Sequence, residues 1–437
     1  MLCRIKIVIL PFQEVIHRRI MKIFRHIVAL LSVVLTVLPS CSKVEPKDVV
    51  FEEKEKTLLL YFASHNNLYM DAASNISKII KGYVSSDGNI VLYCNNFDLS
   101  TKQMKDTLPL LVNISRNKKG DVQIDTIYKF PYINSCTKNQ MKSVLNITKT
   151  ICPARHYGMV LWSHGTGWLP QGYYKTHAFT SSDEKMMYSN QRSRFPAPPG
   201  GVDPYAHMVK SFGSELGVEM SVFDIQEALG ETHFDFIAMD ACFMGGVEIA
   251  YQLKDYCDYF IGSAAEILTD SYPYDTVIEK MFNDDYIGVS QAIYDYYNAQ
   301  SGEYRSVTIA TVKCSELEAV ADEAKALFED YRDDIPSVDP TTVQRFFRYD
   351  DHWFYDLKDF LDNLCGTSET VAFTSALSKA VIAKYTTGRM ITLDIDPAKF
   401  CGLSTYIPDD SETELITYYQ KYAWNDAVKM IVPPTSD

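Results

Sequence analysis

Residues Phe234–Gly246 read FDFIAMDACFMGG, and the reading of this stretch decides the fold. Phe234, Phe236, Ile237, Ala238 and Met239 make a short, nearly continuous apolar run. Such a run fits a strand buried on both faces, as in a parallel sheet covered by helices. It ends in Asp240-Ala241-Cys242, and a helix-like segment, Val247–Leu253, follows. Open α/β sheets place their ligand crevice at the carboxyl ends of such strands, so Cys242 is a candidate nucleophile.

A nucleophilic thiol needs a base, and a second stretch supplies one. Tyr157–Trp168 reads YGMVLWSHGTGW, with an apolar run Met159–Trp162 followed directly by Ser163-His164-Gly165. His164 therefore also lies at the end of a buried strand. Two adjacent parallel strands would bring His164 and Cys242 to the same sheet edge. The 78 residues between them (242 − 164) leave room for a crossover helix and a long loop. An imidazole near the thiol would withdraw its proton or stabilise the attacking thiolate. Gly165 lacks a Cβ, so its N–H approaches a developing oxyanion closely.

Strand-Ser-His-Gly followed by strand-Asp-Ala-Cys resembles the clostripain family of cysteine peptidases, part of the caspase-like group. The resemblance implies a three-layer α/β/α sandwich with a mostly parallel central sheet, here followed by a C-terminal α/β extension. It implies a cysteine endopeptidase that cuts after Arg or Lys, with Cys242 and His164 catalytic. The N–H groups of Gly165 and Cys242 would form the oxyanion hole. Asp240 would form the floor of the pocket for a basic side chain; an Asp at this place also commonly caps the following helix. Asp270 is a second, weaker pocket candidate, because its loop Glu266–Tyr274 (EILTDSYPY) keeps Tyr272-Pro273-Tyr274 but has Thr269, Asp270 and Ser271 where the family has glycines. The family's cleavage in the loop between the catalytic pair points to Arg192 and Arg194 as processing sites. Some members of the family depend on calcium, but no EF-hand-like loop is present, so no metal site or cofactor is expected from a motif.

The remainder divides around these stretches. Residues 1–41 read as an export signal: Lys22 and Arg25, an apolar region Ile27–Leu38, then Leu38-Pro39-Ser40-Cys41, which resembles a bacterial lipoprotein box with Cys41 lipidated. Met21 fits as the start. The apolar region is too short to span a bilayer, which takes roughly 20 residues. Residues 42–56 read as a tether, 57–312 as the peptidase core with a Pro- and Gly-rich covering loop over 169–214, and 313–437 as a C-terminal subdomain packed on the core. Expected elements include strands Thr57–Phe62, Asn89–Cys94, Tyr259–Ala264 and Ser306–Val312, a pair of strands Leu110–Ile114 and Val122–Phe130, and helices Lys138–Lys149, Ser221–Leu229, Val289–Ala299 and Glu316–Tyr331.

Charge narrows the partners. Residues 1–40 hold six Lys or Arg and one Glu, so of 42 basic and 56 acidic residues 36 and 55 remain, a net charge of −19. That balance speaks against nucleic acid and is compatible with basic peptide substrates. The chain is expected to be a monomer at the bacterial cell envelope, held to the membrane by its lipid. The ten cysteines show no CxxC spacing, so no zinc site is supported. A serine hydrolase would need a GxSxG elbow, which is absent. The competing reading is a catalytically silent envelope scaffold or binding lipoprotein that keeps the fold. Retention of both His164 and Cys242 argues against it.

Overall fold

The computed structural model describes residues 51–82, 88–98, 101, 103–117, 119–173, 218–348 and 353–432. Their centre is a nine-stranded sheet. Its strands are β1 (Lys54–Phe62), β2 (Gly88–Asp98), β3 (Gln103–Arg116), β4 (Val122–Lys129), β5 (Ala154–Trp162), β6 (Phe234–Asp240), β7 (Cys257–Gly262), β8 (Thr308–Lys313) and β9 (Val381–Thr386), in the order β9-β8-β7-β6-β5-β1-β2-β3-β4. The five central strands, β2, β1, β5, β6 and β7, are parallel. Antiparallel pairs flank them on both sides. Parallel strands need covered faces, which is why β1 is buried from Lys56 to Phe62 and β6 exposes little but Asp235.

Two helical layers provide that cover. On one face α1 (Tyr69–Gly82) packs on α5 (Tyr274–Phe282), which packs on α6 (Tyr286–Asn298). On the other, α2 (Lys138–Ile151), α3 (Val222–Leu229), α4 (Val247–Leu253), α7 (Leu317–Tyr331) and α9 (Val371–Ala380) form a second series, with α11 (Ala423–Val428) between α4 and α7. The helices α8 (Leu357–Cys365) and α10 (Thr413–Tyr419) complete the set. This is a three-layer α/β/α sandwich. Local signals act as the sequence predicts at α3: the Ser221 hydroxyl accepts from the N–H of Asp224, and the Asp224 carboxylate accepts from the N–H of Ser221.

Several boundaries differ from expectation. β1 starts at Lys54, inside the expected tether, because Lys54 and Lys56 already pair with Ala154 and His156. β2 runs on to Asp98 against β3. Leu169 and Tyr173 are buried, so the first residues of the expected exposed loop pack into the protein; residues 174–214 of that loop lie outside the described residues. Residues beyond 312 also supply a strand of the main sheet, β9, antiparallel to β8. Among the described residues no helix is long and apolar enough to cross a membrane.

Candidate active site

The chain order creates the site. From β1 it steps outward to β2, whereas β5, β6 and β7 lie on the other side of β1. The reversal falls between β1 and β5, and the crevice of an open α/β sheet opens at the carboxyl ends of strands at such a point. Three segments leave the sheet there: Ala63–Asn67 after β1, Ser163–Gly165 after β5 and Ala241–Cys242 after β6. Trp162 pairs with Asp240. His164 and Cys242 each come two residues later, so they leave neighbouring strands at the same level.

His164 is largely buried, at 8% exposure. Its Nε2 lies 2.7 Å from Oδ1 of Asn67, which is exposed at the mouth of the crevice. An amide oxygen only accepts, so in this contact Nε2 is the donor, and Nδ1 is the ring nitrogen left to act as a base. The turn beneath is fixed by Ser163, whose hydroxyl donates to the carbonyl of Ala63 at 2.8 Å, and by Asn66, whose Nδ2 donates to the same carbonyl at 3.1 Å. Asn67 sits in the Asn-rich turn after the first strand; the sequence shows the turn but no partner for it.

Cys242 is fully buried. Its sulfur accepts the N–H of Ile267 at 3.1 Å, and the thiol faces the carbonyl of Ile267 at 3.6 Å. The following residue, Phe243, has φ 59°, a left-handed conformation uncommon for a residue with a side chain. The turn is held in it by backbone bonds from Phe243 N–H to the Ala265 carbonyl (2.9 Å) and from Gly245 N–H to the Ser263 carbonyl (2.7 Å). A Cβ on Gly245 would stand 2.5 Å from the carbonyl carbon of Ser263, so only glycine permits this approach. The segment after β7 thus shapes the turn that carries Cys242. Glu266 anchors that segment through a buried ion pair with Arg348, at 2.5 Å and 3.1 Å. A backbone contact such as that of Ile267 leaves no side-chain signal in a sequence.

Asp240 is buried under the strand end. Its Oδ2 accepts from the Tyr274 hydroxyl at 2.7 Å and from the Tyr272 N–H at 3.4 Å. Burial, and next the negative charge of Asp240, hold the hydroxyls of Tyr272 and Tyr274 well above their usual pKa, so both remain protonated donors. Asp240 does not cap the next helix: the residue before α4 is Gly246, with no side-chain cap. Asp270 is partly exposed. Its Oδ1 accepts from Lys78 at 2.7 Å, and its Oδ2 takes the Tyr296 hydroxyl. Gly165 is buried beside His164. Arg192, Arg194 and Cys41 lie outside the described residues. No group of three or more His, Cys, Asp or Glu among the described residues could hold a metal ion.

The chain is similar to known proteins in sequence and in fold. Residues 60–189 and 213–431 match the profile of the clostripain family. Among solved structures, the chain is similar to an inactive zymogen C11 protease from Parabacteroides distasonis, with 26% identity, 87% of this chain and 99% of the other covered, and a TM-score of 0.68. It is similar to a secreted C11 cysteine protease from Bacteroides thetaiotaomicron in complex with an irreversible peptide inhibitor, with 26% identity, 86% and 98% covered, and a TM-score of 0.66. A further structure of a secreted C11 cysteine protease from that organism, at 22% identity, covers 86% and 100% with a TM-score of 0.69 and shares the fold. No curated protein matches the chain.

Proposed function

The chain belongs to the clostripain family of cysteine peptidases, and on that premise we propose that it is an endopeptidase cutting after Arg or Lys with Cys242 as nucleophile and His164 as acid–base. The register of β5 on β6 carries this reading, since it delivers both residues to one edge of the sheet. Asn67 is the positioning residue: its contact with Nε2 turns Nδ1 into the basic nitrogen. Cys242 passes its proton to His164, and the thiolate attacks the carbonyl carbon of the scissile bond. The oxyanion that forms is met by the N–H groups of Gly165 and Cys242, each worth about 3 kcal/mol if the geometry is met. The imidazolium returns the proton to the leaving amine as the C–N bond breaks. Water, deprotonated by His164, then releases the acyl group and restores the thiol.

Asp240 selects the basic side chain in this reading. Two donors hold its carboxylate in place, and a fixed buried charge favours an arginine or lysine head over a neutral one. Asp270 would assist at the rim once Lys78 gives way to a substrate cation. The acidic mature chain suits such substrates. Self-cleavage at Arg192 or Arg194, lipidation of Cys41, an envelope location and a monomeric state belong to the same proposal. A secreted relative supports export.

One observation favours a latent form of this enzyme. The sulfur of Cys242 is buried and engaged by the peptide of Ile267, and a 26% identical relative is described as an inactive zymogen. The test is hydrolysis of fluorogenic peptides ending in Arg, Lys, Ala or Asp, by the chain before and after tryptic nicking, with Cys242→Ala as control. Turnover of Arg and Lys peptides alone, appearing or rising on nicking and lost in the variant, is expected. Turnover after Asp would remove Asp240 from the pocket, and no turnover after nicking would leave a silent scaffold.

A further inference from the structure

Outside the site, two thiols meet in the core. Cys257 opens β7 and Cys314 directly follows β8, the antiparallel neighbour of β7. Tyr259 pairs with Lys313, so a straight continuation would put Cys314 on the other face of the sheet from Cys257. The strand instead ends at Lys313 and a 3-10 turn begins at Cys314. The bend swings the second side chain over, and the two sulfurs lie 3.6 Å apart. Both residues are buried, at 1% and 3% exposure. Cys257 also faces the Leu253 carbonyl at 3.8 Å.

We infer that Cys257 and Cys314 are a disulfide site, closed by a disulfide oxidant while the exported chain folds. A disulfide needs a sulfur separation of about 2.05 Å, so the two sulfurs have to close about 1.5 Å. The reaction is a two-step exchange. One cysteine thiolate attacks an oxidant of the type R–S–S–R, forming a mixed disulfide and expelling R–S⁻. The second thiolate attacks the cysteine sulfur of the mixed disulfide and expels the other R–S⁻. Both leaving thiolates take up the protons the two cysteines lost. The cysteines are oxidised by two electrons and the oxidant is reduced to two thiols. Burial, and next the hydrogen bond to Cys314, push the Cys257 thiol well above its usual pKa in the folded protein. Thiolate is therefore scarce once the core has closed, which sets the reaction during folding.

The bond would close a loop spanning 57 residues. That loop carries Glu266, Ile267 and Asp270, the segment that shapes the Cys242 turn. Tying its two ends would restrict the unfolded chain and tether the segment to the sheet.

The experiment needs no assay of peptidase activity. The full chain is unfolded in urea and refolded in a buffer of oxidised and reduced glutathione, or in dithiothreitol. It is then denatured, blocked with N-ethylmaleimide and mapped by mass spectrometry. The expected result is a linked pair of peptides containing Cys257 and Cys314 in the glutathione sample, absent with dithiothreitol and absent in Cys314→Ser. The glutathione sample should also melt roughly 2–5 °C above the dithiothreitol sample. Maleimide on both cysteines after glutathione refolding, or linkage of either to a different cysteine, would overturn the inference.

Discussion

Asn67→Ala removes the amide oxygen that lies 2.7 Å from Nε2 of His164. The imidazole then loses both the acceptor that fixes its tautomer and the contact that orients its ring. Asn67 is exposed, so water replaces part of what is lost. The net value of such a bond is about 1–1.5 kcal/mol, which corresponds to a fall of about tenfold in kcat/KM. The fall should be in kcat, because Asn67 supports the chemistry and not the basic side chain of the substrate. Asn67→Asp puts a carboxylate at the same place and makes a second, signed prediction. The charge favours imidazolium, so the pKa of His164, the general base, rises and the acid limb of the pH–rate profile moves to higher pH. For a pair at the crevice mouth the interaction is worth about 0.2–1 kcal/mol, or up to about 0.7 of a pH unit. The assay is kcat and KM on Lys- and Arg-terminated fluorogenic peptides between pH 5 and pH 10 for the nicked enzyme, with thermal melting to confirm folding. An Asn67→Ala enzyme within twofold of the parent, together with an Asn67→Asp profile whose acid limb stays in place, would refute the positioning role.

Arg348→Met strands the Glu266 carboxylate in a site where both side chains are 3% exposed or less. Breaking a buried pair costs about 3–5 kcal/mol, and a large drop in melting temperature is expected; Arg348→Met with Glu266→Leu should recover most of it, and equal melting of the two variants would count against the pair. Gly245→Ala drives a Cβ into the backbone of Ser263 and Ala264, at 2.5 Å and 2.7 Å. It should cost about 1–3 kcal/mol and alter the rate of Cys242 alkylation, whereas a variant with parental melting and labelling would show that the turn yields freely.

The sequence carried most of the fold and part of the site, for reasons visible in particular residues. Short apolar runs such as Leu58–Phe62, Met159–Trp162 and Phe236–Met239 have few readings other than buried strands, and each is one. Their ends offer His164 and Cys242 as candidates, because function collects where a parallel strand stops. Long-range pairing was less legible. β9 reads as an ordinary segment (VIAKYT) half-exposed at the sheet edge, and nothing local says that it pairs with β8. Helix α5 follows Pro273 within a loop the eye takes for turn sequence. At the site, Asn67 was in view without a partner, since its role depends on β1 lying beside β5. The sequence showed Glu266 as a charge with no hint that Arg348, 82 residues away, neutralises it.

The C-terminal segment is tied to the Cys242 turn through a buried carboxyl, and its protonation gives the final prediction. Glu248, in the first turn of α4, is fully buried. Its Oε1 accepts from Tyr419 Oη (2.7 Å), Thr405 Oγ1 (2.8 Å) and the Tyr406 N–H (3.1 Å). Next to these, the Ser404 N–H donates to the Gly245 carbonyl at 3.0 Å, three residues after Cys242. The second oxygen, Oε2, and the Ser404 hydroxyl are buried without a protein partner among the described residues. Both face Gly246, at 2.8 Å and 3.5 Å from where its Cβ would be. Burial raises the Glu248 carboxyl above its ordinary 4.5, against the hydrogen bonds from Tyr419, Thr405 and Tyr406 that favour the charged form. A folded-state pKa raised in this way contributes stability that is full below pH 4.5 and lost as the pH climbs through the raised value. Glu248→Gln keeps an acceptor at Oε1, places a donor where Oε2 stands and removes the titration. It should match the parent near pH 4.5 and exceed it at pH 8, with activity kept. Glu248→Ala abandons three donors at about 1 kcal/mol or more each, so it should lose about 3 kcal/mol and activity with it. Urea unfolding of the three proteins at both pH values decides the matter. If Glu248→Gln falls as far as Glu248→Ala at pH 8, the carboxyl is charged in the folded protein and the joint between the C-terminal segment and the Cys242 turn is held by that charge instead.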